Sequence, residues 1–290
     1  MKKPIFEGTA TAVVTPFTAE EIDYAKLDRL LDHQLAGGVD AIVVCGTTGE
    51  AAVLTDAEQS ALIAHTVSYV NKRCKVIAGT GSNSTRHCVS KSRTAACLGA
   101  DALLIVTPYY NKCTQEGLIA HYNAVADAVD VPIVLYNVPS RTGVDISVET
   151  CLALSKHPNI NGVKEASGNL AKIARLLNEC RDSLFVWSGN DTDAVSAMSL
   201  GAKGLISVLS NLKPKQTADM IRFCMEGNFE KAAELQISLM PLIDALFCEV
   251  NPIPIKTALR LAGMDMGTPR LPLTPLSSEN ERRLLELLKT

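Results

Sequence analysis

The sequence predicts an α/β protein: a (β/α)8 TIM barrel followed by a C-terminal helical extension. Three observations point there. Eight short apolar runs recur every roughly 20–35 residues, the rhythm of strand, loop and helix in such a barrel. Helix-length stretches separate the runs. One connection also recurs in kind: Leu35-Ala36-Gly37-Gly38-Val39-Asp40-Ala41, Leu98-Gly99-Ala100-Asp101-Ala102 and Leu200-Gly201-Ala202-Lys203-Gly204. Each reads as a helix end, a glycine able to take positive φ, then a strand.

In order, the strand candidates are residues 9–14, 41–45, 75–78, 102–106, 133–136, 160–164, 184–188 and 204–208. Continuous rather than alternating apolar runs suit parallel strands covered on both faces. Helical stretches include 23–36, 56–70 and 117–128, the first opened by Asp23 as N-cap and closed by Gly37-Gly38. The run at 160–164 leads into Ser167-Gly168-Asn169, a turn and N-cap signal for another helix. After Val208 the strand pattern stops. From about Lys213 onward the chain reads as helices, punctuated by Pro214, Pro252-Ile253-Pro254 and a proline-rich stretch at 268–275. The expected division is a barrel over 1–211 and an extension over 212–290 that includes the last barrel helix. No low-complexity linker separates them, so the two should pack together.

Composition narrows the function classes. Hydrophobic residues make up 47% of the 290 and the mean hydropathy is +0.14, yet no apolar run approaches a membrane span. A net charge of −3 and a pI near 6.0, without an aromatic-interleaved Lys/Arg stripe, leave no footprint for nucleic acid. The start, Met1-Lys2-Lys3-Pro4-Ile5-Phe6-Glu7, has two cations but no apolar stretch behind them, so no secretory signal is expected. Nine cysteines, an odd and scattered set with no C-x-x-C pair, argue against a disulfide frame and a zinc site. Cys45 and Cys97 lie in apolar segments, where a thiol packs as a small hydrophobe in a reducing cytoplasm. His33, His65, His87, His121 and His157 show no metal-ligand spacing and read as structural or surface residues.

In a barrel of this class the chemistry sits at the carboxyl ends of the strands. Strand two leads into Gly46-Thr47-Thr48-Gly49-Glu50, whose amides and hydroxyls can hold a carboxylate. Strand three leads into Gly79-Thr80-Gly81, only half a dinucleotide fingerprint, so no nicotinamide site is expected. Strand four leads into Thr107-Pro108-Tyr109-Tyr110-Asn111, and strand five into Tyr136-Asn137-Val138-Pro139-Ser140-Arg141-Thr142-Gly143. Strand six ends at Lys164 and strand seven at Ser188-Gly189-Asn190-Asp191. Singly, each has a bland reading: a tyrosine pair packs, an arginine is a surface charge, and a strand-end lysine snorkels to water. Together they fall at one end of one barrel.

Lys164 is the residue around which these gather. A lysine at a strand end that points into a pocket can lose its proton and attack a carbonyl as a free amine. Its pKa of about 10.4 must then fall toward neutrality, which burial and nearby cations favour. Condensation with the ketone of a 2-keto acid gives a Schiff base and then an enamine carbon nucleophile. A tyrosine hydroxyl linked to a threonine can move the protons. An arginine fork suits a second carboxylate.

These residues resemble, in order and spacing, the dihydrodipicolinate (4-hydroxy-tetrahydrodipicolinate) synthase family of pyruvate-dependent class I aldolases. The likeness runs from Ala12-Val13-Val14-Thr15-Pro16-Phe17 to Asn251-Pro252-Ile253-Pro254 and Leu271-Pro272. Its most specific motifs are Gly46–Glu50, Tyr136–Gly143 and Gly162-Val163-Lys164-Glu165-Ala166. The resemblance implies a lyase that condenses pyruvate with L-aspartate-4-semialdehyde through a Schiff base on Lys164, the first committed step of diaminopimelate and lysine biosynthesis. It implies that Tyr136 relays protons through Thr47 to Tyr110, the last reaching in from a neighbouring subunit. Thr48 would hold the pyruvate carboxylate, Arg141 the carboxylate of the aldehyde, and Gly189 and Ile206 would line the site. Beyond the covalent pyruvate, no cofactor or metal is implied. The partners would be the two substrates, with neither nucleic acid nor membrane, in a cytoplasmic homotetramer built as a dimer of dimers.

Sister enzymes, N-acetylneuraminate lyase and keto-deoxy sugar acid aldolases, look similar at the lysine and tyrosine. They typically lack an arginine at the position of Arg141, which therefore favours the synthase. A non-catalytic keto-acid-binding barrel is the rival from another class, and the full set of expected catalytic side chains counts against it. Two departures stand out. Family members under lysine feedback often carry polar or histidine residues after the Gly46–Glu50 motif, and a glutamate near the position of His87. Here the first stretch begins Ala51-Ala52-Val53, so inhibition by free lysine is expected to be weak or absent. Asn190 stands where an aspartate is more usual.

Overall fold

The computed structural model describes residues 2–19 and 21–289; Met1, Glu20 and Thr290 lie outside the described residues, and with them the outermost positions of the expected N- and C-terminal segments. Strand and helix alternate from the start. β1 (Gly8–Ala12) leads to α1 (Tyr24–Ala36), β2 (Ala41–Val44) to α2 (Asp56–Val70), and β3 (Lys75–Gly79) to α3 (Thr85–Cys97). β4 (Ala102–Val106) is followed by α4 (Gln115–Ala126), and β5 (Ile133–Asn137) by a single turn, α5 (Pro139–Thr142), and α6 (Val148–Leu154). β6 (Ile160–Glu165) precedes α7 (Leu170–Cys180), β7 (Phe185–Ser188) precedes α8 (Ala194–Ser199), and β8 (Gly204–Ser207) precedes α9 (Pro214–Met225). α10 (Phe229–Leu246), α11 (Ile253–Leu261) and α12 (Ser278–Lys289) complete the chain.

The eight strands are all parallel and close on themselves, β1 pairing with both β2 and β8. Local chemistry sets the helix starts. Asp23 accepts from the Lys26 amide, Thr55 and Glu58 form a reciprocal capping box, and Asn169 accepts from the Lys172 amide. Several element ends differ from the sequence reading for identifiable reasons. β2 stops at Val44 because Cys45 takes φ +57°. β1 stops at Ala12, and the Val14 amide goes to the Asn211 side chain instead of a strand. α4 begins two residues before 117 because Thr114 caps it by accepting from the Gly117 amide.

Two apolar layers hold the barrel. Outside, side chains such as Leu103, Ile105, Val163 and Val186 pack against the helices. Inside, Ala10, Val43, Leu104, Tyr136, Trp187 and Ile206 fill the barrel with Phe6. Phe6, ahead of β1, stacks on Trp187 with ring centroids 5.2 Å apart. Trp187 fits because its indole ring reaches across to Gly162 on β6, where any Cβ would come within 2.3 Å of it. Behind Phe6, the Lys2 ammonium donates to the carbonyls of Ser155, His157, Ile160 and Ser183 at 2.6–3.1 Å, fixing the N-terminal segment.

The segments after α9 are stitched to the loops that follow the strands. Gln236 on α10 donates to the Asp191 carbonyl at 2.6 Å. Lys256 on α11 forms a buried ion pair with Glu50 at 2.7 Å, and the Arg270 amide takes the other carboxylate oxygen. Burial pulls the Lys256 pKa down, while the Glu50 charge opposes that shift.

Candidate active site

Register decides which residues meet. Ile133 pairs with Ile160 but Val134 pairs with Gly162, so Asn161 is an extra residue on β6. After that shift Tyr136 stands beside Lys164, and Lys164 beside Trp187 on the other side. Period-two alternation then turns Tyr136, Lys164 and Trp187 inward together. Lys164 is 5% exposed, and its Nζ lies 4.4 Å from the centroid of the Tyr136 ring. Among the described residues Nζ has neither a hydrogen-bond nor an ion-pair partner. The room it occupies depends on Gly189: a Cβ there would sit 2.9 Å from Lys164 Cε and 2.6 Å from Ala166 Cβ.

Above this lysine is a cavity of about 220 Å3, lined by Thr47, Thr48, Tyr136, Arg141, Lys164 and Gly189 among others. A second cavity of about 370 Å3 shares Thr47, Tyr136 and Arg141 with it and extends along Ala51, Val53 and Leu273. The space suits two small molecules; hydroxyls and cations gather around the smaller cavity, whereas the larger is lined mostly by apolar side chains.

Not every expected residue comes into contact. Among the described residues no hydrogen bond joins Tyr136 to Thr47. Tyr110 lines neither cavity; it is 90% exposed, in a backbone with φ +74°. Ile206 faces the barrel interior and is fully buried, and the cavity wall is instead Val208, just past the end of β8. Arg141 is exposed and donates from Nη2 to the Asn251 carbonyl at 3.4 Å.

Behind the site, the outward neighbours of Tyr136 and Lys164 lock their strands together. Asn137 Nδ2 donates to both oxygens of Glu165, at 3.0 and 2.9 Å, and to Asp145 at 2.7 Å. Its own Oδ1 accepts from the Ile146 amide. Lys172 on α7 joins Glu165 at 3.3 Å and also Asp145. This network, buried at Asn137, Glu165 and Lys172 and exposed at Asp145, ties β5, β6, α7 and the loop after α5 into one unit. On the opposite side Asp191 is fully buried. Burial raises its pKa, opposed by the Ser207 hydroxyl, the amides of Leu209 and Val208, and Lys164 when protonated.

Sequence reasoning assigned no role to Asn251 or Phe247, which also line the smaller cavity. Asn251 had a signal, standing at the head of Asn251-Pro252-Ile253-Pro254; Phe247 had none beyond its aromatic ring. Among the described residues no group of three or more His, Cys, Asp or Glu is placed to hold a metal ion.

The model of the dihydrodipicolinate synthetase family matches residues 5–290. The chain belongs to that family. A 4-hydroxy-tetrahydrodipicolinate synthase from Caldicellulosiruptor saccharolyticus is 49% identical over 286 residues, covering 98% of this chain and 97% of its own. The crystal structure of dihydrodipicolinate synthase from Aquifex aeolicus superposes with a TM-score of 0.96 at 45% identity, covering 98% of this chain and 97% of that one. A dihydrodipicolinate synthase variant described as monomeric is 42% identical with a TM-score of 0.96, covering 98% of this chain and 96% of its own.

Proposed function

We infer that this protein is a 4-hydroxy-tetrahydrodipicolinate synthase, a Schiff-base lyase acting on pyruvate and L-aspartate-4-semialdehyde in the first committed step of diaminopimelate and lysine biosynthesis. The observation that carries the reading is the buried, unpartnered Lys164 amine, at the base of a cavity that also presents Arg141. Lys164 Nζ attacks the ketone carbon of pyruvate and water leaves, giving an imine. Loss of a methyl proton makes the enamine, whose carbon attacks the aldehyde of the second substrate. Attack of that substrate's amino group on the imine carbon closes the ring and releases Lys164. No metal or organic cofactor enters these steps.

Thr48 holds the pyruvate carboxylate, and the Arg141 fork takes the carboxylate of the aldehyde. Gly189 keeps the space open, and Ile206 supports the site from below. Tyr136 carries protons to and from the reacting carbon, with Thr47 and Tyr110 as its relay. Tyr110 enters that relay from a second subunit: its exposure and positive φ hold the ring away from its own cavity and present it to a neighbour. Leu200 and Ile237, near α8 and on α10, are further exposed apolar residues that suit a second contact, as a homotetramer requires. No helix among the described residues is long and apolar enough to cross a membrane, and all nine cysteines are free thiols. We place the enzyme in the cytoplasm.

The test compares substrates. With pyruvate, turnover of aspartate semialdehyde should far exceed cleavage of sialic acid or keto-deoxy gluconate, and Arg141→Ala should mainly raise the KM for the aldehyde. Preferential cleavage of either sugar acid would reassign the chain to a sister activity. Sedimentation of the intact protein reports the assembly, and a monomer with full activity would remove Tyr110 from the relay.

A further inference from the structure

Asn251 lies between α10 and α11, outside the eight strand–helix units, yet lines both cavities. It is 6% exposed. Its side-chain Nδ2 donates to Thr48 Oγ1 at 2.9 Å, and its backbone carbonyl accepts from Arg141 Nη2 at 3.4 Å. One residue therefore touches both side chains assigned to carboxylates. Its Oδ1 is buried with no partner, a costly state that an apolar side chain would avoid.

The direction of the Thr48 bond matters. A threonine hydroxyl has one proton and two acceptor sites. With Asn251 donating, Thr48 Oγ1 spends an acceptor site, and no described group takes its proton. That proton is left for the cavity, where a carboxylate is the matching acceptor. Were the amide reversed, its oxygen would claim the Thr48 proton and leave none for a ligand.

We propose that Asn251 is a positioning residue that sets both anion subsites: its amide holds the Thr48 hydroxyl as a donor to the pyruvate carboxylate, and its carbonyl steadies the Arg141 guanidinium for the second carboxylate. The proposal rests on the functional reading above. It also gives the C-terminal segment a part in selecting a pair of short carboxylates, since the separation of the two subsites is fixed through one side chain and its own backbone.

Steady-state kinetics of the full-length enzyme test it. Asn251→Ala should raise the KM for pyruvate about 5- to 20-fold, less than outright loss of a hydrogen bond to a charged ligand because Thr48 itself remains, with a smaller change in kcat. Asn251→Asp, equal in size, should raise it further, because its oxygen takes the Thr48 proton and adds a like charge. In a Thr48→Val background the Asn251→Ala change should add less than about twofold, because its partner is already gone. A purely structural role would add equally in both backgrounds. Folded Ala and Asp variants with wild-type KM, or additive effects, would overturn the proposal. Should the Ala variant fail to fold, the Asp variant carries the comparison. Borohydride trapping of pyruvate on wild-type Lys164 separates the levels: no adduct defeats the functional reading itself, whereas an adduct with unmoved KM defeats only the role of Asn251.

Discussion

Gly189 leaves room for the Lys164 side chain, and filling that room has a calculable effect. In Gly189→Ala the new methyl lies 2.6 Å from Ala166 Cβ and 2.9 Å from Lys164 Cε, against 3.4 Å for an ordinary contact. The overlaps are therefore about 0.8 Å and 0.5 Å, well inside the repulsive wall. Ala166 is short and fixed to the end of β6, so the lysine stem yields first. Overpacking of this size costs roughly 1–3 kcal/mol, or about 2–5 °C in Tm for a chain of this length. A displacement near 1 Å at a reacting atom costs on the order of 100-fold in rate. The variant should therefore stay folded and lose activity out of proportion to its stability. Initial rates at saturating pyruvate, beside a thermal melt, measure both. Activity within twofold of wild type would refute the packing argument, and so would a loss of activity that only follows unfolding.

Three further outcomes are expected. Lys256→Met leaves Glu50 buried without its cation and should cost about 3–5 kcal/mol in denaturant unfolding, while also loosening the loop that carries Thr47 and Thr48; an unchanged midpoint would contradict this. The hydrogen bond from Arg270 holds the Glu58 carboxyl down at about 2, helped by Thr55. The unfolded chain takes up that proton near pH 4 and the folded chain does not, so this stability is present above that pH and lost as pH falls toward 2. Glu58→Gln should flatten the fall in stability below pH 5, and parallel curves would count against the pairing. Free L-lysine should inhibit initial rates weakly or not at all, since the His87 imidazole, 2.9 Å from the Asp56 carboxylate, stands near where a carboxylate would have to meet the effector's ammonium; strong inhibition below the millimolar range would refute that.

The barrel was legible because its eight strands are short, buried, mostly apolar runs at a regular interval, and because α1, α2, α4 and α7 each open on a side-chain cap. Strand ends were less so. Whether Cys45 continues β2 depends on a backbone turn into positive φ that Gly46 and the following loop impose from outside the run. The meeting of Tyr136 with Lys164 was expected from strand ends alone, but it is realised through the extra residue at Asn161, which no periodicity announces. The Asn137–Glu165–Lys172–Asp145 network was invisible for a related reason: its members come from two strands, a helix and a loop, and become neighbours only when the barrel closes. Asn251 was missed as a site residue because it follows the last strand by more than 40 positions, whereas the search for chemistry stopped at strand ends. Tyr110 shows the opposite limit. Its motif stood out in the sequence, yet within one chain its ring is exposed and lies outside both cavities.

The central claim is that a small oxo acid reaches the Lys164 amine inside the barrel and condenses with it. Incubation with pyruvate, reduction with borohydride and peptide mass mapping test it directly. A single reduced pyruvate adduct on the peptide containing Lys164, absent without pyruvate and absent from Lys164→Ala, is the predicted result. An unmodified Lys164 peptide from folded protein at saturating pyruvate would contradict the account.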